Sequence, residues 1–104
     1  MGTQQYHEPA AELSQQTRTF ARMITALVEE AEAIGWYEQR LSLEKNAAAR
    51  AIMQNAQEEE FKHFSMDLEF LLRRKKAWHK ILKGIVLIEG DIVKNAEKAE
   101  KNAD

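Results

Sequence analysis

The sequence predicts an all-α protein, an antiparallel two-helix hairpin followed by a short C-terminal helix. Three observations lead there. Only 4 glycines and 1 proline occur in 104 residues, too little turn chemistry for a many-stranded sandwich or barrel. Apolar or small residues recur at Leu13, Thr17, Phe20, Ile24, Leu27, Ala31 and Ile34 in alternating steps of four and three, the repeat of one helix face. A second long stretch from Ala47 is rich in Ala, Glu, Gln, Leu and Lys, all good helix formers.

The first helix is expected over about 8–40. Pro9 suits a first turn, where its missing N–H costs nothing, with His7 or Glu8 at the cap and Glu12 favourable to the helix dipole. Gly35 weakens a helix by roughly 1 kcal/mol against Ala, but Ile34, Trp36 and Tyr37 carry the apolar pattern past it. The pattern lapses between Leu41 and Asn46, where Ser42 and Asn46 are turn or cap residues. The second helix is expected over about 47–75, closing on the cationic run Arg73-Arg74-Lys75-Lys76, which suits a helix C-terminus. A short helical C-terminal segment follows over about 77–101. In it Gly84 interrupts the apolar stretch Trp78 to Ile88, and Gly90-Asp91 reads as a stop and a fresh N-cap. Residues 1–104 are read as a single domain, close to the size where one core is only just sufficient; a second copy is expected to complete it.

Composition removes several classes of function. Cysteine is absent, so disulfide scaffolds, thiolate metal sites and a cysteine nucleophile are out, and a reducing compartment fits. With 15 basic and 17 acidic residues and a net charge of −2, a general nucleic-acid or anionic-membrane binder is not expected. No apolar run approaches the ~18 residues needed to span a bilayer, and the polar start MGTQQYHEPA is unlike a signal peptide. A soluble, intracellular protein is expected.

Position on the helix separates two glutamates from the rest. At about 100° per residue, with Glu30 at zero, Met23 and Leu41 fall near +20°, Ile34 +40°, Leu27 +60°, Tyr37 −20° and Ala26 −40°. Glu30 is thus central to the apolar face, whereas Glu29 and Glu32 lie roughly 100° and 160° away. On the second helix, with Glu60 at zero, Met53 and Leu71 fall near +20°, Phe64 +40°, Leu68 +80°, Ala56 −40°, His63 −60° and Phe70 −80°, while Glu58 and Lys62 point about 160° away. Each long helix therefore turns one glutamate inward, and the second adds a histidine at i+3 on the same side. A buried carboxylate without a counter-charge costs several kcal/mol, so a cation is expected.

Glu60-Phe61-Lys62-His63 is a Glu-x-x-His pair. Ferritin-like di-iron bundles use such a pair from each of two helices and a lone glutamate from each of the other two. This chain supplies half. A two-fold dimer of hairpins would bring together two Glu30, two Glu60 and two His63 in one four-helix bundle. Four carboxylates then balance two divalent cations; without them, close pairs repel by roughly 4 kcal/mol at an effective dielectric of 20. Oxygen ligands with one imidazole per metal suit iron or manganese better than structural zinc.

Read together with the Glu29-Glu30-Ala31-Glu32 block, Trp36-Tyr37-Glu38-Gln39-Arg40, His7-Glu8-Pro9 and the segment from Glu59 through Met66, Leu68-Glu69 and Leu72-Arg73-Arg74, the chain resembles the encapsulated ferritin family over most of its length. The resemblance implies a two-helix protomer whose dimer builds a ferroxidase centre between subunits, with two Fe ions per dimer and other divalent metals able to substitute. It implies dimers joined in a decameric ring held as cargo inside an encapsulin shell, in a bacterial or archaeal cytoplasm. Glu30, Glu60 and His63 match the ferroxidase ligands. Glu29 and Glu32 match an acidic site where metal ions approach the centre, and Trp36 and Tyr37 match the aromatic pair beside it. Members of the family usually end in an extension bearing a short apolar targeting sequence; here Asn95 to Asp104 holds only Ala, Glu, Lys, Asn and Asp.

Other readings of the same residues stand beside this one. Tyr37 is a candidate hydrogen-bond donor to the ligands, although interface packing accounts for Trp36 and Tyr37 equally well. A non-enzymatic helical dimer would pair its glutamates with cations of the partner. A di-iron or di-manganese oxidase of an organic substrate would need a substrate pocket. His7 and His79 read as ordinary surface or cap histidines.

Overall fold

A computed structural model describes residues 5–103. All the described secondary structure is helical: a 3-10 turn Ala10–Glu12, then α1 (Gln15–Leu43), α2 (Ala47–Leu72), α3 (Lys76–Lys83) and α4 (Ile92–Lys101). The chain divides into two compact units, one through Glu69 and the other from Phe70 onward.

The first long helix starts later than its periodicity suggests. Pro9 opens only the 3-10 turn, and Leu13, with φ −89° and ψ 138°, turns the backbone out of helical space. Ser14 is the cap: its Oγ accepts the Thr17 N–H at 3.1 Å, satisfying a donor that has no partner within the helix. The expected cap at His7 or Glu8 is therefore replaced by one half a dozen residues on. At the other end α1 continues to Leu43, because Ser42 donates its hydroxyl to the Gln39 carbonyl (2.6 Å) and stays within the helix. Residues 44–46 then reverse the chain. Glu44 Oε2 accepts the Asn46 N–H (3.0 Å), and Asn46 Oδ1 caps α2 by accepting the Ala49 N–H (2.9 Å).

Two side chains of α2 lock the hairpin. Arg50 Nη1 donates to the carbonyls of Leu41 and Glu44, covering acceptors left over at the end of α1. Farther along, Gln57 is buried, and its Nε2 donates both to the Ile34 carbonyl (3.2 Å) and to Glu38 Oε1 (2.9 Å). As residue numbers rise along α2 their partners on α1 fall, so the helices run antiparallel. Little of this unit is fully covered: Leu41 is buried, whereas Phe20, Met23, Ile24, Leu27, Ile34, Met53 and Phe64 remain half-exposed on the hairpin's apolar face.

In the second unit, Leu71 and Leu72 are buried at the end of α2. The cationic run after them is partly self-engaged: Arg74 donates to the Phe70 carbonyl (2.8 Å) and lays its guanidinium over the Phe70 ring. The C-terminal segment is two helices, with the fresh cap at Asp91 that the sequence suggests. Gly84 ends α3, and Asp91 caps α4 by accepting the Lys94 N–H on Oδ1 (2.9 Å). The helices approach closely where Gly84 meets Ala99; a β-carbon at Gly84 would lie 2.6 Å from that of Ala99.

Candidate functional site

The antiparallel hairpin sets the middle of α1 against the second half of α2. Glu30 on α1 is half-buried, as are Glu60 and His63 on α2, while Glu29, Glu32, Glu58 and Lys62 are exposed. The structure brings a fourth residue to this group. Asp67 lies seven residues beyond Glu60 on α2, which at about 100° per residue is a rotation of only some 20°. It is 9% exposed. Sequence reasoning around the Glu-x-x-His pair did not extend to it, although the same arithmetic places it on the inner face.

Two contacts organise the four side chains. His63 Nδ1 lies 3.0 Å from Glu60 Oε1, and because a carboxylate can only accept, the ring nitrogen donates. In the neutral imidazole that contact leaves the lone pair on Nε2. Across the hairpin, the Glu30 carboxyl comes within hydrogen-bonding reach of Asp67. Two acids can bond this way only through a proton, and Oε2 of Glu30 and Oδ2 of Asp67 are both buried without a protein donor.

The electrostatic result falls on Glu30. Desolvation first, then the hydrogen bond to Asp67 and the negative charges of Asp67 and Glu60, push its carboxyl up to about 7, with His63 acting in the opposite direction. Glu59 behaves differently. Exposed and paired with Lys62 at 2.8 Å, it sits below its ordinary value because the Lys62 ammonium stabilises the carboxylate.

These donors suit a divalent cation of the iron or manganese type, carboxylate oxygens with one imidazole. Buried oxygens without donors are the feature expected of such a site. Among the described residues, however, no three His, Asp or Glu side chains converge closely enough to hold a metal within one chain.

The remaining candidates lie around this group. Trp36 is 53% exposed and lines a shallow surface cleft with Gln39 and Arg40. Tyr37 is half-buried, with the Arg40 guanidinium 5.3 Å from its ring centre. His7 and His79 are exposed. No helix among the described residues is long and apolar enough to cross a membrane.

Comparison with known proteins agrees in fold and in family. Residues 5–89 match the family described as EncFtn-like. A ferritin-like protein of Thermotoga maritima is 34% identical over 100 residues, covering 96% of this chain and 88% of that protein. An encapsulated ferritin-like protein of Rhodospirillum rubrum is 35% identical over 86 residues, covering 83% of this chain and 61% of the relative. Among solved structures, protein ne0167 from Nitrosomonas europaea matches with a TM-score of 0.80 and 38% identity, over 84% of this chain and 96% of that one. An all-helical hairpin with inward acids, matched by this family over most of its length, belongs to the EncFtn-like family of ferritin-like proteins.

Proposed function

We propose that the protein is a ferroxidase, oxidising Fe(II) to Fe(III) at a di-iron centre formed between two copies of the chain. The observation that carries this reading is the Glu60–His63 pair, one turn apart on α2, beside a Glu30 whose buried Oε2 has no protein donor. Two copies would contribute two Glu30, two Glu60 and two His63, whose four carboxylates balance two divalent ions. The half-exposed apolar face of the hairpin offers the surface a second copy would cover, completing a four-helix bundle.

Iron is the substrate. Each Fe(II) gives up one electron; O2 takes two electrons with two protons and leaves as hydrogen peroxide, or hydrogen peroxide takes two electrons with two protons and leaves as two waters. The protein fixes geometry and charge. Glu60 holds the His63 ring in the tautomer that presents Nε2, and ionised Glu30 and Glu60 favour the higher charge of the product ion. Glu29 and Glu32, exposed next to Glu30 in sequence, would attract incoming cations, with Trp36 and Tyr37 beside them. Manganese or another divalent metal could occupy the same donors.

The named relatives support a wider setting. The Rhodospirillum rubrum protein is called encapsulated, and by analogy the dimers would join in a decameric ring inside an encapsulin nanocompartment, in a bacterial or archaeal cytoplasm, for iron storage and detoxification. Native mass spectrometry with elemental analysis should find about one iron per chain, as two per dimer. Glu60→Ala and His63→Ala should each abolish rapid Fe(II) oxidation. Wild-type rates in both variants would overturn the assignment.

A further inference from the structure

We propose that the C-terminal unit carries a self-association face of its own, in which Leu87 of one copy enters the groove beside α4 of a second copy. Leu87 is 99% exposed, and its φ of 64° places it in the left-handed region, which a residue with a β-carbon adopts only at an energetic cost. The conformation holds a leucine out in water. Its neighbours extend the patch: Val86, Ile88, Ile92 and Val93 are also exposed, five large apolar side chains within eight residues, a cluster of the kind that marks an interaction site. The same unit supplies the receptor. A groove of about 220 Å³ is lined by Gly84, Ile88 and Ala99, with Asn95, Lys98 and Asn102 completing it. An apolar cavity of about 150 Å³ holds a benzene ring, so the groove has room for one leucine side chain. Charge points to the same occupant. Glu89 follows Leu87 by two residues and Lys98 lines the groove, both exposed, so a second copy brings a carboxylate towards the ammonium as its leucine enters. Because each chain bears both the projecting leucine and the groove, a two-fold pairing fills two grooves at once. None of these residues belongs to the Glu30, Glu60, His63 and Asp67 group, and the inference does not depend on the ferroxidase reading.

Sedimentation velocity on the full chain, with excess chelator and over a range of protein concentrations, reads the association state. Leu87→Lys should weaken the largest wild-type assembly by about tenfold or more. Its far-ultraviolet circular dichroism should match the wild type, since this side chain is 99% exposed within its own chain. A wild type that stays monomeric at the highest concentration, or a Leu87→Lys variant with the wild-type size distribution, would overturn the proposal. The chain has no cysteine, so an introduced disulfide is a clean reporter should Leu87→Lys fail to fold. Leu87→Cys and Asn102→Cys, mixed, equilibrated and oxidised, should form a covalent dimer on a non-reducing gel faster than either variant alone. Equal rates in the mixture and in the separate variants would remove Leu87 from the groove and sink the pairing. Neither measurement involves Fe(II) oxidation, so this face and the ferroxidase reading stand or fall separately.

Discussion

Raising the pH should destabilise the metal-free protein through Glu30. In the unfolded chain this carboxyl titrates at its ordinary 4.5, and in the folded chain at about 7. Between those values the folded state binds the extra proton, so the free energy of unfolding falls as pH rises. The contribution is fully present below the unfolded value and is lost as pH climbs through the folded one. At about 1.36 kcal/mol per pH unit the full gap corresponds to roughly 3.4 kcal/mol, and the solvent around the half-buried side chain reduces it to about 1–2 kcal/mol. Urea unfolding followed by far-ultraviolet circular dichroism, with chelator and at fixed protein concentration, measures it. With a slope of about 1–3 kcal/mol per molar urea, the midpoint should drop by about 0.5–1 M between about pH 5 and about pH 8. Glu30→Gln removes the titrating group and isolates its share: the two proteins should be similar near pH 5, and the wild type should become the weaker one near pH 8. A wild type that holds its stability relative to Glu30→Gln across that range would refute the reasoning.

Other predictions concern the approach to the site and the packing that supports it. Glu32→Ala should slow Fe(II) uptake in stopped-flow absorbance while leaving the final iron stoichiometry intact; unchanged kinetics would remove Glu32 from the approach path. Gly84→Ala should destabilise the C-terminal unit by about 1–3 kcal/mol, since the new methyl meets Ala99. The double variant Gly84→Ala/Ala99→Gly should recover part of the loss, and thermal unfolding would show it. Asn46→Ala should cost about 1 kcal/mol through loss of the α2 cap, with Asn46→Asp close to wild type.

The sequence carried the helices better than their beginnings. Steps of four and three revealed the long first helix because one face of it must be apolar, yet Pro9 and Glu12 satisfy the rules for a 3-10 turn as readily as for a helical one. Only the backbone at Leu13 and the Ser14 hydroxyl distinguish the two. The inward placement of Glu30 and Glu60 is a property of each helix alone and could be worked out from spacing. What Glu30 meets across the hairpin is not. Its approach to Asp67 depends on how far α2 is rotated and advanced against α1, which no single-helix periodicity contains. Asp67 shares the Glu60 face and was within reach of the same arithmetic, but attention anchored on a four-residue motif stops short of a residue two turns on.

The buried amide of Gln57 has a consequence for that alignment. One nitrogen serves both Ile34 and Glu38, so sliding α2 by a single turn, about 5.4 Å, would break both bonds together. The hairpin thus carries its own vernier mark, set by an uncharged side chain three residues before Glu60. With register kept there, the acids farther along need not keep the helices in step, and the donor set can be altered, acid for acid or acid for amide, without shifting the scaffold that aims it.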